Sequence, residues 1–581
     1  MFFAKRSRQP GRAPQDLAMR QVLSVSHPRR VPTWRQWQQL SRVLSHAERL
    51  LLRGAGGLIL CSVVASAVWY ISTHRVDVPA VGGEYTEALV GEPQFVNPLY
   101  ASASDVDADL ARLIYSGLMR WDSSQGLMND LAANIQVSED KKTYTVQLRD
   151  DARFHNHEPV RARDIIFTFD AIQNSQYRSP LAVSFQNVEV TQVDDKTVAF
   201  VLDQPFAPFL STLTVGILPA DVWSDIPPRS AALAELNLKP IGSGPYTFAE
   251  FAKDKKGGIH SYTLERYRDY YGEKPFIERL TFKFYPSVEE AVRGLASRQV
   301  EGVGFVPPDQ EAEVEKNRSV SLLRPAMPRE TLLLFNQEKQ PIFKKIEVRK
   351  AIALALDKPK MVETVTNGYG TVLDSAIPQG LLGHAPDVLK IRRDTAQANE
   401  LLEKAGYPKP EELAFTLTTV QNPEFIRLGE LVAEQLAEVG IKLNMEAVEP
   451  EKFASTVIEP RGYDLLLTGI LFGIDSDPYP FWHSSQSQQG GLNLAGYNNR
   501  KVDLLLEEAR TTTDDAVRIE KYKTFQEQLA QDLPAIFLYQ STYTYAVANK
   551  LKNVRIERLT TPADRFANIS QWYIKTRKTL R

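Results

Sequence analysis

Residues Gly54 to Ser72, GAGGLILCSVVASAVWYIS, run for 19 positions without a charge. As a helix this run would span about 28 Å, close to the hydrocarbon core of a bilayer at about 30 Å. Arg53 bounds it on one side and His74 and Arg75 on the other, with Trp69 and Tyr70 near that second end, where interfacial aromatics sit. Residues 1–53 carry 11 Lys/Arg against Asp16 and Glu48; the rest of the chain has 58 basic and 69 acidic residues. This asymmetry predicts a cytoplasmic N-terminus and an extracytoplasmic main body. Ala65-Ser66-Ala67 offers a cleavage site, but the apolar run continues to Ile71. Leu60 before Cys61 lacks the small residue of a lipidation signal, so an uncleaved signal-anchor is expected.

Ahead of the anchor, Trp34, Trp37, Leu40, Leu44, Ala47 and Leu51 recur at three- and four-residue spacing, and Thr33 with Gln36 forms a capping-box pattern. An amphipathic helix over 33–53 is predicted, either on the inner leaflet or as a plain linker, behind a Pro/Arg-rich, disordered arm at 1–30. The 581 residues are too many for one core. The acidic body argues against nucleic acid as a partner. Cys61 is the only cysteine, which excludes intrachain disulfides and a cysteine zinc cluster.

Between Leu131 and Asn174, Tyr144, Val146 and Leu148 alternate with polar residues as in a half-buried strand. Asp164 then reads as the N-cap of an apolar helix, Ile165-Ile166-Phe167-Thr168-Phe169. The series LA…VSED…TYTVQLR…FHN…PVRARDIIFTF resembles the signature of the bacterial extracellular solute-binding proteins of family 5, which includes the dipeptide- and oligopeptide-binding components of ABC importers. The turn Pro240-Ile-Gly-Ser-Gly-Pro-Tyr246, Arg266-Tyr-Arg-Asp-Tyr-Tyr-Gly272 and Ile277-Glu-Arg-Leu-Thr-Phe282 extend the resemblance, which covers roughly Glu84 to Gln571.

The resemblance implies an α/β, two-lobed fold of the type II periplasmic-binding-protein kind, with a discontinuous first lobe and an extra subdomain. The expected layout is a linker at 73–83, lobe I at 84–330 with an inserted subdomain at about 120–238, lobe II at 331–542, and a return to lobe I at 543–581. The residues supply local signals. Glu84–Val90 and Thr197–Leu202 read as strands, and Asp107–Met119 as a helix. Ser287, Asp357 and Asp394 read as helix caps, and Leu332–Asn336 and Ile441–Ala447 as strands.

No Gly-x-Ser-x-Gly, His-Glu-x-x-His or Gly-x-x-x-x-Gly-Lys-Ser/Thr pattern occurs, so no catalytic residue, metal or cofactor is expected. His155 and His157, beside Glu158, lack a nearby third ligand and read as turn residues. The binding candidate is Tyr463–Trp482, YDLLLTGILFGIDSDPYPFW, an apolar strand ending in acids and aromatics. Asp477-Pro478 itself reads as a loop initiator. In peptide-binding relatives an Asp at this strand end holds the peptide's α-amino group. Counted back from Asp477-Pro478 that Asp falls on Ile474, so Asp475 takes the role with a one-residue shift. Phe472, Tyr479, Trp482, Glu92, Asn493, Tyr497 and Tyr539 are the expected ligand walls. The resulting expectation is a monomeric, membrane-anchored receptor that captures short peptides and delivers them to an ABC permease with its cytoplasmic ATPase. A tethered hydrolase, or a sensor of the same fold for a non-peptide solute, is the alternative.

Overall fold

In the computed structural model the described residues are 34, 38–39, 44–408 and 413–580. The basic arm at 1–30 and nearly all of the expected amphipathic stretch up to residue 43 lie outside them. The chain forms two compact units, residues 1–78 with 577–581 and residues 79–576.

In the first unit a single helix, His46–Thr73, contains the whole uncharged run and none of its side chains is buried. It is long and apolar enough to cross a membrane. Ser45 and Glu48 close a capping box at its start. The expected helix end at residue 53 is therefore an interior position, since no proline separates Arg53 from Gly54. Arg75–Ala80, read as linker, is a strand in which Val76 and Val78 alternate with charged and small residues.

The second unit is built on two large sheets. One has seven strands, in the order Val320–Leu323, Tyr545–Ala548, Gly302–Val303, Glu84–Val90, Arg279–Tyr285, Ile259–Arg266 and Tyr246–Lys253. The other has six: Thr371–Val372, Ala535–Thr542, Ala326–Phe335, Leu465–Leu471, Ala414–Val420 and Lys442–Val448. The chain passes from the first sheet to the second between Leu323 and Ala326 and returns between Thr542 and Tyr545. The expected boundary at 331 thus falls inside a strand, because the apolar run at Leu332 continues a ladder that begins at Ala326. A four-stranded sheet, Ala132–Val137, Thr143–Leu148, Thr197–Leu202 and Val188–Asp194, packs with the helix Ala162–Gln173 as a satellite of the first lobe.

Periodicity explains these elements. Tyr144, Val146 and Leu148 are buried while Gln147 is exposed, as a strand covered on one face requires. Leu332–Phe335 is apolar without alternation because both faces are covered: Leu333 and Phe335 join one core, Leu332 and Leu334 another. Asp164 stands at the third helical position, where Oδ2 accepts from Arg161 N–H at 2.8 Å and Oδ1 from Ala220 N–H at 2.8 Å. The carboxylate thus caps from inside the first turn. The expected helix to Met119 ends at Ile114, since Met119 opens a strand.

The Gly242–Gly244 turn passes so close to the helix end at Ile114 that a Cβ at Gly242 would lie 2.1 Å from the Ile114 carbonyl oxygen. His155 locks this turn. Its Nδ1 accepts from Gly242 N–H at 3.2 Å and its Nε2 donates to Gly244 O at 3.1 Å, an arrangement that fits a neutral ring. Burial pushes its pKa down from 6.5 to about 4. The stability this ring contributes is therefore complete above pH 6.5 and is lost as pH falls toward 4, by up to about 3 kcal/mol. Unfolding free energies measured from pH 7 to pH 4 should show this slope in the native chain and a shallower one in His155→Gln.

Glu330 lies in the strand Ala326–Phe335, fully buried, with neither carboxyl oxygen hydrogen-bonded. Burial drives its pKa well above the ordinary value, so it is held protonated. A group raised in this way costs stability increasingly as pH climbs past its unfolded value near 4.5. Glu330→Leu should stabilise the fold by about 1–3 kcal/mol at pH 7 and by less at pH 4, read by chemical denaturation.

Candidate functional site

The two crossovers bring strand ends of both sheets around a cavity of about 470 Å³. That volume lies within the range of small-molecule sites, about 300–1,000 Å³. Its apolar surface comes from both lobes: Leu89, Val106 and Phe305 from the first, Met327 and Leu471 from the second, and Tyr543 from the returning connection between them. Phe305 and Tyr543 pack at a tilt beside the crossover, with ring centres 5.5 Å apart. A second, polar cavity of about 330 Å³, near Arg120 and Tyr270, is lined by first-lobe residues alone and adjoins no strand of the second sheet.

The ionisable residues of the interlobe lining are Asp105, Asp109 and Arg329. Asp109 is buried and receives two hydrogen bonds from Arg565, Nη1 to Oδ1 at 2.6 Å and Nη2 to Oδ2 at 2.5 Å. The same guanidinium donates to Glu87 Oε1, Nε at 3.0 Å and Nη2 at 2.8 Å, while Tyr545 donates its hydroxyl to Glu87 Oε2 at 2.6 Å. Burial raises Asp109 to about 6 despite the opposing arginine. Two carboxylates thus share one guanidinium under the first-lobe wall, leaving that wall negative. On the second lobe, Arg329 donates from Nε to Ser541 Oγ at 2.8 Å and from Nη2 to Glu424 Oε2 at 2.9 Å. Tyr539 donates to Glu424 Oε1 at 2.9 Å and fixes that carboxylate from behind.

None of the eight expected binding residues is among those lining this cavity. Asp475 is engaged by Arg518, whose Nη2 donates to Oδ1 at 2.6 Å from a buried position, so its charge is already compensated within the lobe. Phe472 and Trp482 are buried, at 2% and 1% exposure, and pack edge-on against Phe481 and Phe537. Asn493 is fully buried and ties the loop to itself, with Nδ2 donating to His483 O and Tyr497 O. Tyr497 is spent on Asp532, to which its hydroxyl donates at 2.6 Å. Glu92 is exposed beside Gly258 of the first lobe. Tyr539 stands one layer beneath the cavity, through Glu424 and Arg329. The structure thus places the expected ligand walls away from this cavity: the aromatics at the strand end pack in a core, and the acids in their loop are ion-paired.

The loop has another use. Asp477 Oδ2 lies 2.9 Å from Arg510 Nε, and burial pushes the Asp477 carboxyl up. The Arg510 guanidinium stacks over Tyr479 at 4.2 Å and over Phe206 at 5.0 Å. Phe206 follows the strand Thr197–Leu202 of the satellite sheet, and Ala207 N–H donates to Arg510 O at 2.8 Å. Arg510 therefore clasps the satellite of the first lobe to the second lobe.

The sequence reading missed Arg329, Asp105 and Asp109. Two signals point to them: a charged pair, Arg329-Glu330, at the head of an otherwise apolar central strand, and acids spaced i, i+4 on one helix face.

Residues 126–493 match the family described as "Bacterial extracellular solute-binding proteins, family 5 Middle". The chain is 27% identical over 518 residues to the oligopeptide-binding protein AppA of Bacillus subtilis, covering 85% of this chain and 92% of that one. It is 27% identical over 497 residues to the dipeptide-binding protein of Escherichia coli K12, covering 81% and 91%. Among solved structures, AppA of Bacillus subtilis in complex with a nonapeptide matches with a TM-score of 0.71 at 25% identity, over 86% of this chain and all of that one. The substrate-binding protein CtaP of Listeria monocytogenes matches with a TM-score of 0.76 at 25% identity, over 85% and 100%.

Proposed function

The chain belongs to the bacterial extracellular solute-binding proteins of family 5, and from that premise we propose that it captures short peptides between its lobes and hands them to an ABC-type permease. The observation that carries this reading is the interlobe cavity, lined by both sheets exactly where two chain crossovers can act as a hinge. A ligand held there touches both lobes at once and so favours the closed arrangement over the open one, the difference in affinity that closure needs. Peptides are the ligand class because the relatives named above bind oligopeptides and dipeptides by their names, and the cavity pairs apolar walls with charges of both signs. Binding and release need no covalent step, so the protein works as a receptor and not as an enzyme.

The helix His46–Thr73 anchors the receptor, with the basic arm in the cytoplasm and residues 79–576 outside. The clasped lobes act as a monomer on a permease driven by its ATPase.

Native mass spectrometry of the purified chain, before and after denaturing release, tests the ligand class. The expected result is a set of small peptide masses lost on denaturation. A single non-peptide mass would overturn the peptide assignment, and turnover of a bound peptide would overturn the receptor reading.

A further inference from the structure

One residue after the helix His46–Thr73, the strand Arg75–Ala80 begins, and it pairs with Lys575–Leu580 in a two-stranded ribbon. Residues 75–78 and 577–580 belong to the helix's own unit. The pairing brings Arg577 and Lys578, from the other end of the sequence, onto the same ribbon as Arg75. All three side chains are exposed, and the one acid among them is Asp77. Among the described residues none of the three cations has an ion-pair or side-chain hydrogen-bond partner. Their surroundings in composition run the other way, since beyond residue 53 the chain holds 69 acids against 58 bases. Membrane insertion does not account for them either, because it concentrates cations at the cytoplasmic end of a span and these stand at the opposite end.

Distance limits what these cations can reach. With the uncharged run 54–72 in the hydrocarbon core, Thr73 stands at its edge. A strand rises about 3.3 Å per residue, so positions 75–78 lie about 7–17 Å beyond that edge. The headgroup layer is about 5–8 Å deep, and its field extends about 8 Å further at physiological ionic strength. Trp69 and Tyr70, exposed one turn before the helix end, stand at the level of an aromatic belt. From this juxtaposition we infer that the ribbon docks on anionic phospholipid, with Arg75, Arg577 and Lys578 on headgroup phosphates of the leaflet at the outer end of the anchor. The inference rests on the anchor reading above and adds a lipid partner to it. The guanidinium of an arginine can fork onto two phosphate oxygens, and lysine adds a point charge. Each cation near an anionic surface strengthens attachment about fivefold, so three cations offset by Asp77 give at least about tenfold. The attachment weakens with added salt.

The test reconstitutes the full chain in phosphatidylcholine vesicles doped with phosphatidylglycerol that carries a photoreactive headgroup, and maps the cross-links by proteolysis and mass spectrometry. Cross-links are expected on 75–78 and 577–580 as well as on the basic arm. The combined variant Arg75→Gln, Arg577→Gln, Lys578→Gln should lose the ribbon cross-links by at least about tenfold and keep those on the arm, which serve as the internal control. Arg75→Lys with Arg577→Lys should retain them, which separates lost charge from a disturbed ribbon. If the glutamine variant is labelled on the ribbon as strongly as the native chain, or if phosphatidylcholine with the same photoreactive group labels the ribbon equally, the inference is overturned and the anchor reading stands. A second lipid, with its photoreactive group in the acyl chain, checks that reading separately. It should label 54–72, and a helix left unlabelled there would mean that the anchor reading itself fails.

Discussion

Replacing Arg565 by methionine should cost about 3–5 kcal/mol of stability, the largest loss expected from a single side chain in the second unit. Arg565 is 1% exposed and compensates two carboxylates, Glu87 at 0% and Asp109 at 3%. Its partners are 478 and 456 positions away in sequence, so it ties the returning C-terminal segment to the strand Glu84–Val90 and to the helix beside the cleft. Methionine fills much of the volume and stacks acceptably on Tyr545 and Phe566, which the guanidinium now covers at 5.7 and 4.2 Å. The loss would thus come from leaving two buried carboxylates without a counter-charge, not from a cavity. Removing both at once, in Glu87→Gln with Asp109→Asn and Arg565→Met, should recover most of the stability, since breaking a buried pair costs more than deleting it. Chemical denaturation of the single and triple variants measures both. A single variant as stable as the native chain would show that the buried group is not what holds the return segment.

Phe206→Ala should weaken peptide binding by about 5- to 10-fold without any contact to the peptide. Phe206 is the satellite's side of the Arg510 clasp. A cation over an aromatic ring is worth about 0.5–2 kcal/mol, and in the proposed opening about the two crossovers Phe206 parts from Arg510. A contact made only in the closed arrangement adds its free energy to the ligand's, by linkage. Truncating Phe206 is cleaner than truncating Arg510, which would also strand Asp477 without its partner. The expected signature is a faster dissociation rate, with little change in association, and a larger radius of gyration for the unliganded chain by small-angle scattering. Unchanged affinity and unchanged scattering would remove the clasp from the closing mechanism.

These residues show what was legible in the sequence. Local signals carried through: the alternation at Tyr144–Leu148, the Ser287, Asp357 and Asp394 caps, and the uncharged run inside His46–Thr73 all depend on neighbours within a few positions. The family signature gave the two-lobed architecture, which the matching solved structures share. The lining of the interlobe cavity was not legible for the opposite reason. Asp475 reads as an available carboxylate only until Arg518, 43 positions later, is brought against it. Trp482 and Tyr497 have the composition of a ligand wall, but aromatic side chains bury just as well in a core, and only the turn of the loop decides which face they take. Arg329 was hidden because its surroundings depend on Glu424, Tyr539 and Ser541, contributed by two other elements, the helix Pro423–Ala437 and the strand Ala535–Thr542.

The most direct test is a crystal structure of the chain with a bound peptide. The account predicts the peptide enclosed between Leu89, Val106 and Phe305 on one side and Met327, Arg329 and Leu471 on the other, with the Asp475–Arg518 pair intact behind it. A peptide seated instead against Asp475 and the Tyr479–Trp482 loop, with Arg518 displaced, would contradict it.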